Sequence, residues 1–577
     1  MNHRSVRHYS NREENLCMYA IGDGTAVVGL WGLDIYGAKG ADLAGRFAFR
    51  GHVADAALIE AESTRLPGRF RYAHQIRKDG RPLGHMEEYF SRGHSFVREF
   101  SLDGDMEYVI EVDEQAVSVE ENIWYIPKGS FYVNDYPTGE DAWFRLDTLG
   151  CAARWEGRKV CIQLSGDCRV AVRFGKSREE MVSEDSVEEY NIPCPVTAPG
   201  ELAQVVEDYW YAYQSFHSCR GGSISHILWN LNYIRDNYGM SRALLAMGLQ
   251  GEARAQLEYY LRVFREKGML ATAQSVGCDG TFHIHECDET ENPGYLVMEA
   301  FDYYRATGDE AFLQELMPML HWALEVQSKH LYDGMMPYCG DETYVAGGIL
   351  PRSVLEHGSC EATMLFIKSA QLLEPYGCDA RILALAREAR EKFRSNFFRD
   401  GTLITNNPAR TAAPLPETKH GPCIFCYSMT DLRPNRFGLY TCPNCADRPE
   451  DLRTDESYRL TCVQLEPAYF DTDLLTLEEQ RQIYERIAEH LLEHGYMSNE
   501  GQEKKCTGYE FGLLLYGLVK TGSPLSEPVR RITMARRGEV GIWDEYYDLQ
   551  GNPGGMRYRV WESGVNLMAL LACERGS

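Results

Sequence analysis

The chain has 577 residues, of which 44% are hydrophobic and 25% charged, enough for two or three globular domains with sizeable cores. Asp and Glu total 85 against 59 Lys and Arg, so the net charge is −26. So acidic a surface repels nucleic acid and anionic membranes, whereas a neutral sugar is indifferent to it. We therefore expect a partner that is neither a nucleic acid nor a membrane.

The first residues are polar and basic and no apolar run follows them, which predicts that the chain has no signal peptide. The sequence also lacks the roughly 18 continuous apolar residues that a membrane span needs. Without an export signal, the 18 cysteines favour reduced thiols and a metal site over a disulfide framework. Together these features predict a cytoplasmic protein.

Residues 1–200 are predicted to form a β-sandwich domain. Short alternating or β-branched runs, such as residues 25–30, 108–112 and 159–164, are separated by Gly, Asp and Asn turns. Repeated short strands with such turns are typical of an antiparallel sandwich.

From Glu201 the apolar spacing becomes helical, which predicts a second, helical domain over residues 201–577. Short links containing Gly or Asp favour antiparallel hairpins, and about eleven or twelve helices in hairpins fit an (α/α)6 toroid. A helical solenoid is the competing arrangement, but the sequence shows no fixed-period repeat. The predicted helices are residues 202–210, 241–248, 252–264, 295–304, 311–330, 360–373, 380–398, 477–494, 509–519, 526–536 and 560–573.

Residues 402–458 interrupt the helical pattern with an irregular stretch rich in Pro, Asn, Thr, Arg and Cys. This insertion contains Cys423-x-x-Cys426 and, fifteen residues on, Cys442-x-x-Cys445, which is the spacing of a tetrathiolate zinc site. Four thiolates fill the tetrahedron and leave no position for a catalytic water, so the predicted role is structural, with one zinc per chain. The alternative is four unrelated cysteines in a cysteine-rich chain.

Two acidic strings lie beside aromatic residues and glycine, each just ahead of an apolar stretch. One contains Asp341, Glu342 and Tyr344, and the other contains Trp543 and Glu545. Cleavage of a glycosidic bond with inversion needs one carboxylic acid to protonate the leaving oxygen and one carboxylate to activate water. Glu342 in the first string and Glu545 in the second are therefore candidates for this pair of carboxyl groups.

Aromatic residues near these strings are candidate stacking surfaces for the faces of a sugar. They are Tyr344, Trp543, Tyr546 and Trp561. Each of them could equally be a core residue at the entrance of its helix. Glu562, next to Trp561, is a further candidate for the general base.

Two further polar strings precede or open predicted helices. In Arg235-Asp236 the carboxylate could accept bonds from two vicinal sugar hydroxyls while the guanidinium orients it. The alternative is an ion pair within a helix. Asp288 and Glu289 belong to an acidic run, for which the alternative is a solvated helix cap.

At these residues the chain resembles glycoside hydrolase family 15, the glucoamylase-like enzymes of the six-hairpin superfamily. Arg235-Asp236 is similar to the family's Arg-Asp motif, which grips the non-reducing sugar, and Asp288-Glu289 is similar to the Asp-Glu segment that lines its pocket. The resemblance covers most of the second domain and, in architecture, the β-sandwich ahead of it.

The family's general acid lies in a Trp-Glu-Glu loop, and its base precedes the last helix. Here Glu342 stands at the place of the acid, although the tryptophan is absent and Asp341 replaces one glutamate, and Glu545 stands at the place of the base. The resemblance implies an inverting hydrolase of an α-linked glucan or oligosaccharide that needs no catalytic cofactor. Its two carboxyl groups are expected to lie roughly 6.5–9.5 Å apart.

Two other functions stay open at this point. The Asp341-Glu342 string also resembles the acid loop of glycoside phosphorylases, in which phosphate replaces activated water and basic or hydroxyl residues are expected in place of Glu545. The missing tryptophan also allows a catalytically silent carbohydrate-binding protein. The sequence fixes neither the sugar and its linkage nor the oligomeric state.

Overall fold

The computed structural model describes most of the chain, including both predicted domains. The described residues are 5–9, 19–40, 42–43, 45–129, 140–183, 186, 188–228, 231–277, 282–283, 289–337, 357–410, 418–422, 429–434, 440–446, 457–497 and 505–576.

The N-terminal domain is an antiparallel β-sheet with fourteen strands among the described residues. The strands are β1 (Ser5–Tyr9), β2 (Tyr19–Gly22), β3 (Val27–Trp31), β4 (Asp34–Lys39), β5 (Phe49–Val53), β6 (Ile59–Arg65), β7 (Arg71–Lys78), β8 (Arg81–Phe90), β9 (Ser95–Val112), β10 (Val117–Glu120), β11 (Ile123–Ile126), β12 (Ala142–Leu149), β13 (Ala152–Glu156) and β14 (Lys159–Gly175). In β6 the buried Ile59, Ala61 and Ser63 alternate with the partly exposed Glu60 and Glu62, which is the period-two pattern of a half-buried strand.

The long strands β9 and β14 pair with each other and join two wings of the sheet. The first half of β9 pairs with β8 and its second half pairs with β5. The wings face each other through aromatic side chains, since the ring centroid of Phe49 lies 6.0 Å from that of Phe144 and 6.1 Å from that of Phe174. The predicted antiparallel β domain is therefore confirmed.

A short helix, α1 (Arg178–Val182), follows the sheet, and the described part of the second domain contains twelve helices. These are α2 (Leu202–Phe216), α3 (Ile234–Met247), α4 (Gln250–Lys267), α5 (Asn292–Thr307), α6 (Glu310–Ser328), α7 (Cys360–Leu373), α8 (Ala380–Phe397), α9 (Thr461–Tyr469), α10 (Leu477–His494), α11 (Glu510–Lys520), α12 (Ser526–Ala535) and α13 (Val560–Gly576). Across the described residues, no helix is both long enough and apolar enough to pass through a bilayer.

The helices of the second domain form a closed ring of hairpins. The odd-numbered helices from α3 to α13 are on the inside, where each contacts the next and α13 contacts α3. The inner helix α7 buries nearly every residue, whereas the outer helix α10 is amphipathic and begins with a capping box formed by Thr476 and Glu479. Because inner and outer helices alternate along the chain, all six inner helices begin at the same mouth of the ring.

Short strands lie in the connections between these helices. They are β15 (Asn232–Tyr233), β16 (Ala273–Gln274), β17 (Phe282–His283), β18 (Met336–Pro337), β19 (Gly358–Ser359), β20 (Phe398–Arg399), β21 (Thr402–Leu403), β22 (Asn406–Asn407), β23 (Lys419–Pro422), β24 (Met429–Pro434), β25 (Tyr440–Thr441), β26 (Lys505–Thr507), β27 (Tyr546–Asp548) and β28 (Pro553–Gly554). Several of them immediately precede an inner helix, so they set where its first turn begins.

The opposite mouth, where the inner helices end, holds a cavity of about 570 Å³. Charged side chains line it, among them Arg242, Asp302, Arg305, Asp471 and Lys520. Asp302 accepts from Arg305, and Asp471 lies 3.6 Å from Lys520. Cations at helix C-termini offset the partial negative charge of the macrodipoles. We therefore assign these charges to the stability of the ring.

The two domains are joined by buried polar contacts. Arg65 of β6 donates to Glu207 and Asp208 of α2, at 2.9 and 2.8 Å. Tyr558, in the segment before α13, interacts with Tyr72 of the sheet and with Ser215 of α2. Because charge-assisted bonds at buried sites are strong and directional, these contacts fix the sheet against one side of the ring.

Two helices differ most from the predicted ones. Helix α3 begins at Ile234, well before the predicted residue 241, so Arg235 and Asp236 lie in its first turn. Helix α9 was not among the predicted helices because it contains Pro467 and is buried on every side. A buried helix lacks the amphipathic period by which helices are recognised, and proline normally argues against one.

Only half of the predicted zinc site lies within the described residues. Cys442 and Cys445 are buried, and the Cys445 N–H donates to the Cys442 carbonyl at 3.0 Å across a single turn. Cys423 and Cys426 lie outside the described residues. Within the described ranges no three metal-ligating side chains are gathered, so the zinc site stays a prediction.

A buried glutamate in the ring gives the protein a pH-dependent stability. Burial raises the pKa of Glu299 to about 8, against an ordinary 4.5, although Ser241 donates to its carboxylate. The folded protein therefore holds an extra proton between these two pH values. Its free energy of unfolding should fall as pH rises through that window, by at most about 1.4 kcal/mol per pH unit.

We expect Glu299→Gln to remove this contribution, because the amide does not titrate. Urea unfolding at pH 5 and pH 8 would measure the difference. The exposed Glu489 on α10 offers a matched control, since Glu489→Gln should leave the pH dependence unchanged. An identical pH dependence in Glu299→Gln and the parent protein would contradict the prediction.

Candidate active site

The mouth at which the inner helices begin gathers buried charged side chains. A carboxylate in a first helical turn is favoured by the macrodipole, but a simple cap is normally solvated. Here the side chains at five of the six helix starts are at most 4% exposed; they are Arg235, Asp236, Glu291, Glu361, Glu510 and Glu562. Burying so many ionisable groups at one end of the ring is costly unless they are paired. This mouth is therefore the candidate site.

Asp236 and Glu562 share one guanidinium. Arg559 Nε lies 3.0 and 3.1 Å from the two carboxylate oxygens of Glu562, and Arg559 Nη2 lies 3.5 Å from Asp236 Oδ2. The same oxygen of Asp236 also accepts from the Ser225 hydroxyl. The first turns of α3 and α13 are thus linked through Arg559.

Arg235 has a different partner from the one its sequence neighbour suggested. Its Nη1 donates to Glu291 Oε1 at 2.9 Å, just before α5, and both side chains are buried. The guanidinium that lies near Asp236 is instead Arg559. Asp236 was expected to be oriented by Arg235. In the structure the guanidinium beside it is that of Arg559, which immediately precedes α13.

Glu545 lies in the connection before α13 and is held by backbone groups. The Met556 N–H donates to Glu545 Oε2 at 2.7 Å, and the Glu545 N–H donates to the Met556 carbonyl at 3.0 Å. Gly555, at φ 66°, passes so close that a Cβ atom there would lie 2.2 Å from Glu545 Oε2. Glycine is required at this position because any side chain would displace the carboxylate.

The charges of this cluster are strongly coupled. Burial raises the pKa of Glu562 well above its usual range; Arg559 opposes this rise, and the charges of Asp236 and Glu545 add to it. Although burial disfavours a charged guanidinium, Glu562, Glu545 and Asp236 together raise the pKa of Arg559. Asp236 and Glu562 thus both contact one permanent cation, and the charge of Glu545 acts on Glu562 and Arg559.

A second group of acidic side chains lies at the starts of α5 and α7 and within α9. The Tyr295 hydroxyl donates to Glu361 Oε1 at 2.6 Å. Burial raises the pKa of this hydroxyl, and the charges of Glu361, Glu466 and Glu291 raise it further. Tyr295 therefore stays protonated and serves as a hydrogen-bond donor among these glutamates.

Of the other predicted acidic residues and Tyr344, only Glu289 lies within the described residues. Asp288, Asp341, Glu342 and Tyr344 lie outside the described residues, so the general acid and its distance from Glu545 are not described. Glu289 is partly exposed, with its Oε2 2.7 Å from His330 Nε2.

The described aromatic candidates are mostly packed. Tyr546 is partly exposed and its ring covers Gly554. Trp543 is fully buried and its Nε1 donates to the Thr533 carbonyl at 2.9 Å, so it packs as a core residue, which is the alternative stated for each aromatic. Trp561 is 5% exposed and stacks on Tyr509 at 4.6 Å, so its ring also packs between helices instead of offering an open surface.

Several residues of the site were missed from the sequence: Glu291, Glu361, Glu466, Glu510, Tyr295 and Arg559. A usable signal existed for three of the glutamates. Glu361, Glu466 and Glu510 are single carboxylates within otherwise apolar helical stretches, where a solvated cap would have polar neighbours. Arg559 carried no such signal. Asp236, Glu545 and Glu562 come from separate parts of the chain, and only the fold brings them to the same mouth.

Comparison with known proteins supports the fold. No protein-family model matches the sequence, and no curated protein matches it. Among solved structures, the chain is similar to a bacterial glucoamylase complexed with acarbose, with a TM-score of 0.53 and 9% identity over 99% of this chain and 98% of that one.

Two other solved structures match with lower TM-scores. A glycosidase variant matches with a TM-score of 0.47 and 12% identity, over 64% of this chain and 96% of that one. A rhamnosidase from Klebsiella oxytoca with rhamnose bound matches with a TM-score of 0.42 and 12% identity, over 83% and 88%. The glucoamylase match extends across both domains, so the predicted glucoamylase-like fold is confirmed.

Proposed function

We propose that the protein is an inverting glycoside hydrolase that cleaves an α-linked glucan or oligosaccharide. The observation that carries this proposal is the group of carboxylates at the mouth where the inner helices begin, where Asp236 and Glu562 share Arg559 and Glu545 lies in the connection before α13. The fold shared with the bacterial glucoamylase, whose structure was determined with acarbose, supports the same reaction class.

In this mechanism Glu545 is the general base and Glu342 the general acid. Glu545 accepts a proton from water as that water attacks the anomeric carbon, while Glu342 protonates the leaving oxygen. The backbone bond from Met556 fixes one oxygen of Glu545 and thereby aims the carboxylate. Glu342 is assigned from its position in the sequence, ahead of α7, whose first turn lies in the same mouth.

Asp236 is proposed to bind hydroxyls of the non-reducing sugar. Ser225 and Arg559 hold its carboxylate from one side, which aligns it for further acceptance. Charged hydrogen bonds to a desolvated sugar hydroxyl are stronger than the bonds it makes in water, so such a group adds both affinity and orientation.

The charge of the site favours hydrolysis over phosphorolysis. An attacking phosphate would approach the mouth that holds Glu545, Asp236 and Glu562, and among the described residues Arg559 is the cation that contacts the last two carboxylates. Like charges in a buried site disfavour an incoming anion, whereas a neutral water is unaffected.

A panel of α- and β-linked disaccharides tests the proposal. Purified protein should release free sugar from at least one α-linked substrate, at the same rate with and without inorganic phosphate. Release of a sugar 1-phosphate that depends on added phosphate would identify a phosphorylase. Binding without turnover of any sugar would identify the silent carbohydrate-binding protein.

A structural zinc ion held by Cys423, Cys426, Cys442 and Cys445 remains part of the proposal, as does a cytoplasmic location. The burial of Cys442 and Cys445 in one turn suits paired thiolate ligands. Elemental analysis of purified protein should find one zinc per chain, and Cys442→Ser should abolish it. A clearly smaller zinc content in the parent protein would contradict the site. Activity without catalytic metal is expected in either case.

A further inference from the structure

Two side-chain hydroxyl groups bind the backbone directly ahead of Glu545. The Trp543 N–H donates to Ser563 Oγ at 3.0 Å. The Asp544 N–H, one residue before Glu545, donates to Tyr547 Oη at 3.1 Å. The Glu545 N–H is itself bonded to a backbone carbonyl, so all three consecutive N–H groups have a fixed acceptor. The segment that carries the proposed base is therefore held along its length.

The Tyr547 hydroxyl links this segment to the end of α12. Tyr547 lies in β27, shortly after Glu545, and its hydroxyl also donates to the Arg536 carbonyl at 2.8 Å, just past α12. The ring is 2% exposed and packs edge-on against Phe511 of α11, with the ring centroids 5.6 Å apart. A buried hydroxyl that both donates and accepts holds its two partners in a fixed relation. Tyr547 thus sets where the Asp544 backbone lies.

The segment is enclosed on its other sides as well. The Gly508 N–H donates to the Glu545 carbonyl at 2.7 Å and continues the pairing of β26 with β27. A Cβ atom at Gly508 would collide with the Asp544 carbonyl, so the two segments are in close contact. Ser563 also donates to the Arg559 carbonyl at 2.6 Å, which joins the segment to α13. Parts of the chain beside α11, α12 and α13 therefore all fix the backbone at the proposed base.

We propose that Tyr547 is a positioning residue, whose hydroxyl holds the Asp544 backbone and thereby keeps the Glu545 carboxylate aimed at the attacking water. This inference rests on the proposed function. The effect is one of geometry, and a misplacement of about 1 Å can lower the rate of a catalysed step by about 10²-fold. The hydroxyl acts through the base, so its loss should lower kcat more than it changes KM.

Steady-state kinetics of Tyr547→Phe test this role, on the disaccharide that the panel identifies. The substitution removes the hydroxyl and keeps the ring that packs on Phe511. We expect kcat to fall by about 10-fold or more while KM changes by less than about 2-fold. Ser563→Ala, which removes the acceptor of the Trp543 N–H, should act in the same way and is the second variant if Tyr547→Phe does not fold.

Tyr484 supplies a matched control on the outer helix α10. Its hydroxyl also accepts from a backbone N–H at 3.1 Å, that of Ala468, and its side chain is also buried. Ala468 lies near the end of α9, at the opposite mouth of the ring. Tyr484→Phe should lower the melting temperature about as much as Tyr547→Phe and leave kcat unchanged. An unchanged kcat in Tyr547→Phe and Ser563→Ala, or an equal loss of kcat in Tyr484→Phe, would overturn the inference.

The double variant with Glu545→Gln separates this inference from the proposed function. If the hydroxyl acts through the base, Tyr547→Phe should lower the residual kcat of Glu545→Gln by less than about 2-fold, because groups that act as one unit are not additive. A further loss as large as in the parent protein would overturn the inference. If Glu545→Gln retains full turnover, the base assignment fails and the inference fails with it. If Glu545→Gln loses turnover but Tyr547→Phe and Ser563→Ala do not, only the positioning role is rejected.

Discussion

Glu545→Gln should lower kcat by about 10²- to 10⁴-fold on every accepted substrate, which is the usual contribution of a general base. The amide keeps the shape of the side chain and its carbonyl can still accept from the Met556 N–H, so folding and KM should change little. It cannot accept a proton from water, so the loss appears in kcat. Steady-state kinetics, with the melting temperature as a check on folding, measure the effect.

Glu562→Gln is the informative comparison, because Glu562 competes for the base role in the sequence. Both of its oxygens face Arg559 Nε, and it is 1% exposed, so a water has little access to it. We expect Glu562→Gln to retain much more turnover than Glu545→Gln. The reverse order of losses would show that Glu562 is the base.

Asp236→Asn should lower kcat/KM by about 10- to 100-fold, since a hydrogen bond to a charged group contributes about 1.5–3 kcal/mol. The loss should be largest for substrates whose terminal sugar carries all its hydroxyls. Removing the charge also leaves Arg559 with one carboxylate fewer, so part of the loss is expected in kcat.

Asp208→Asn is the control for loss of a buried aspartate. Asp208 is 6% exposed and accepts from Arg65 at 2.8 Å at the interface between the domains. It has no proposed role in sugar binding. This variant should lower the melting temperature but leave kcat/KM close to that of the parent protein. Equal kinetic losses in both variants would argue against a direct role of Asp236 in binding.

The division into a strand-rich domain and a ring of helices could be predicted because both signals are local. The alternation of buried and exposed residues in β6 is visible in a short stretch of sequence, and so are the capping box and amphipathic period of α10. Helix α9 could not be found in this way. Pro467 lowers the helix propensity of this stretch, and complete burial removes the amphipathic period. Its place is determined by the inner helices around it.

The candidate site was only partly predictable for a similar reason. Glu545 and Asp236 belong to recognisable strings, but their partners come from elsewhere in the chain. Adjacent residues on a helix point about 100° apart, so Arg235 contacts Glu291 and leaves Asp236 to Arg559. Nor does a sequence distinguish a tryptophan that packs in the core, such as Trp543, from one that faces a sugar.

The most direct test of the central claim, that carboxylates at this mouth hydrolyse an α-linked sugar with inversion, is proton NMR of the first product formed. Water activated by Glu545 attacks the face opposite the leaving group, so an α-linked substrate should yield the β-anomer before mutarotation. Initial release of the α-anomer would contradict the account, because it requires a covalent intermediate and a different role for Glu545.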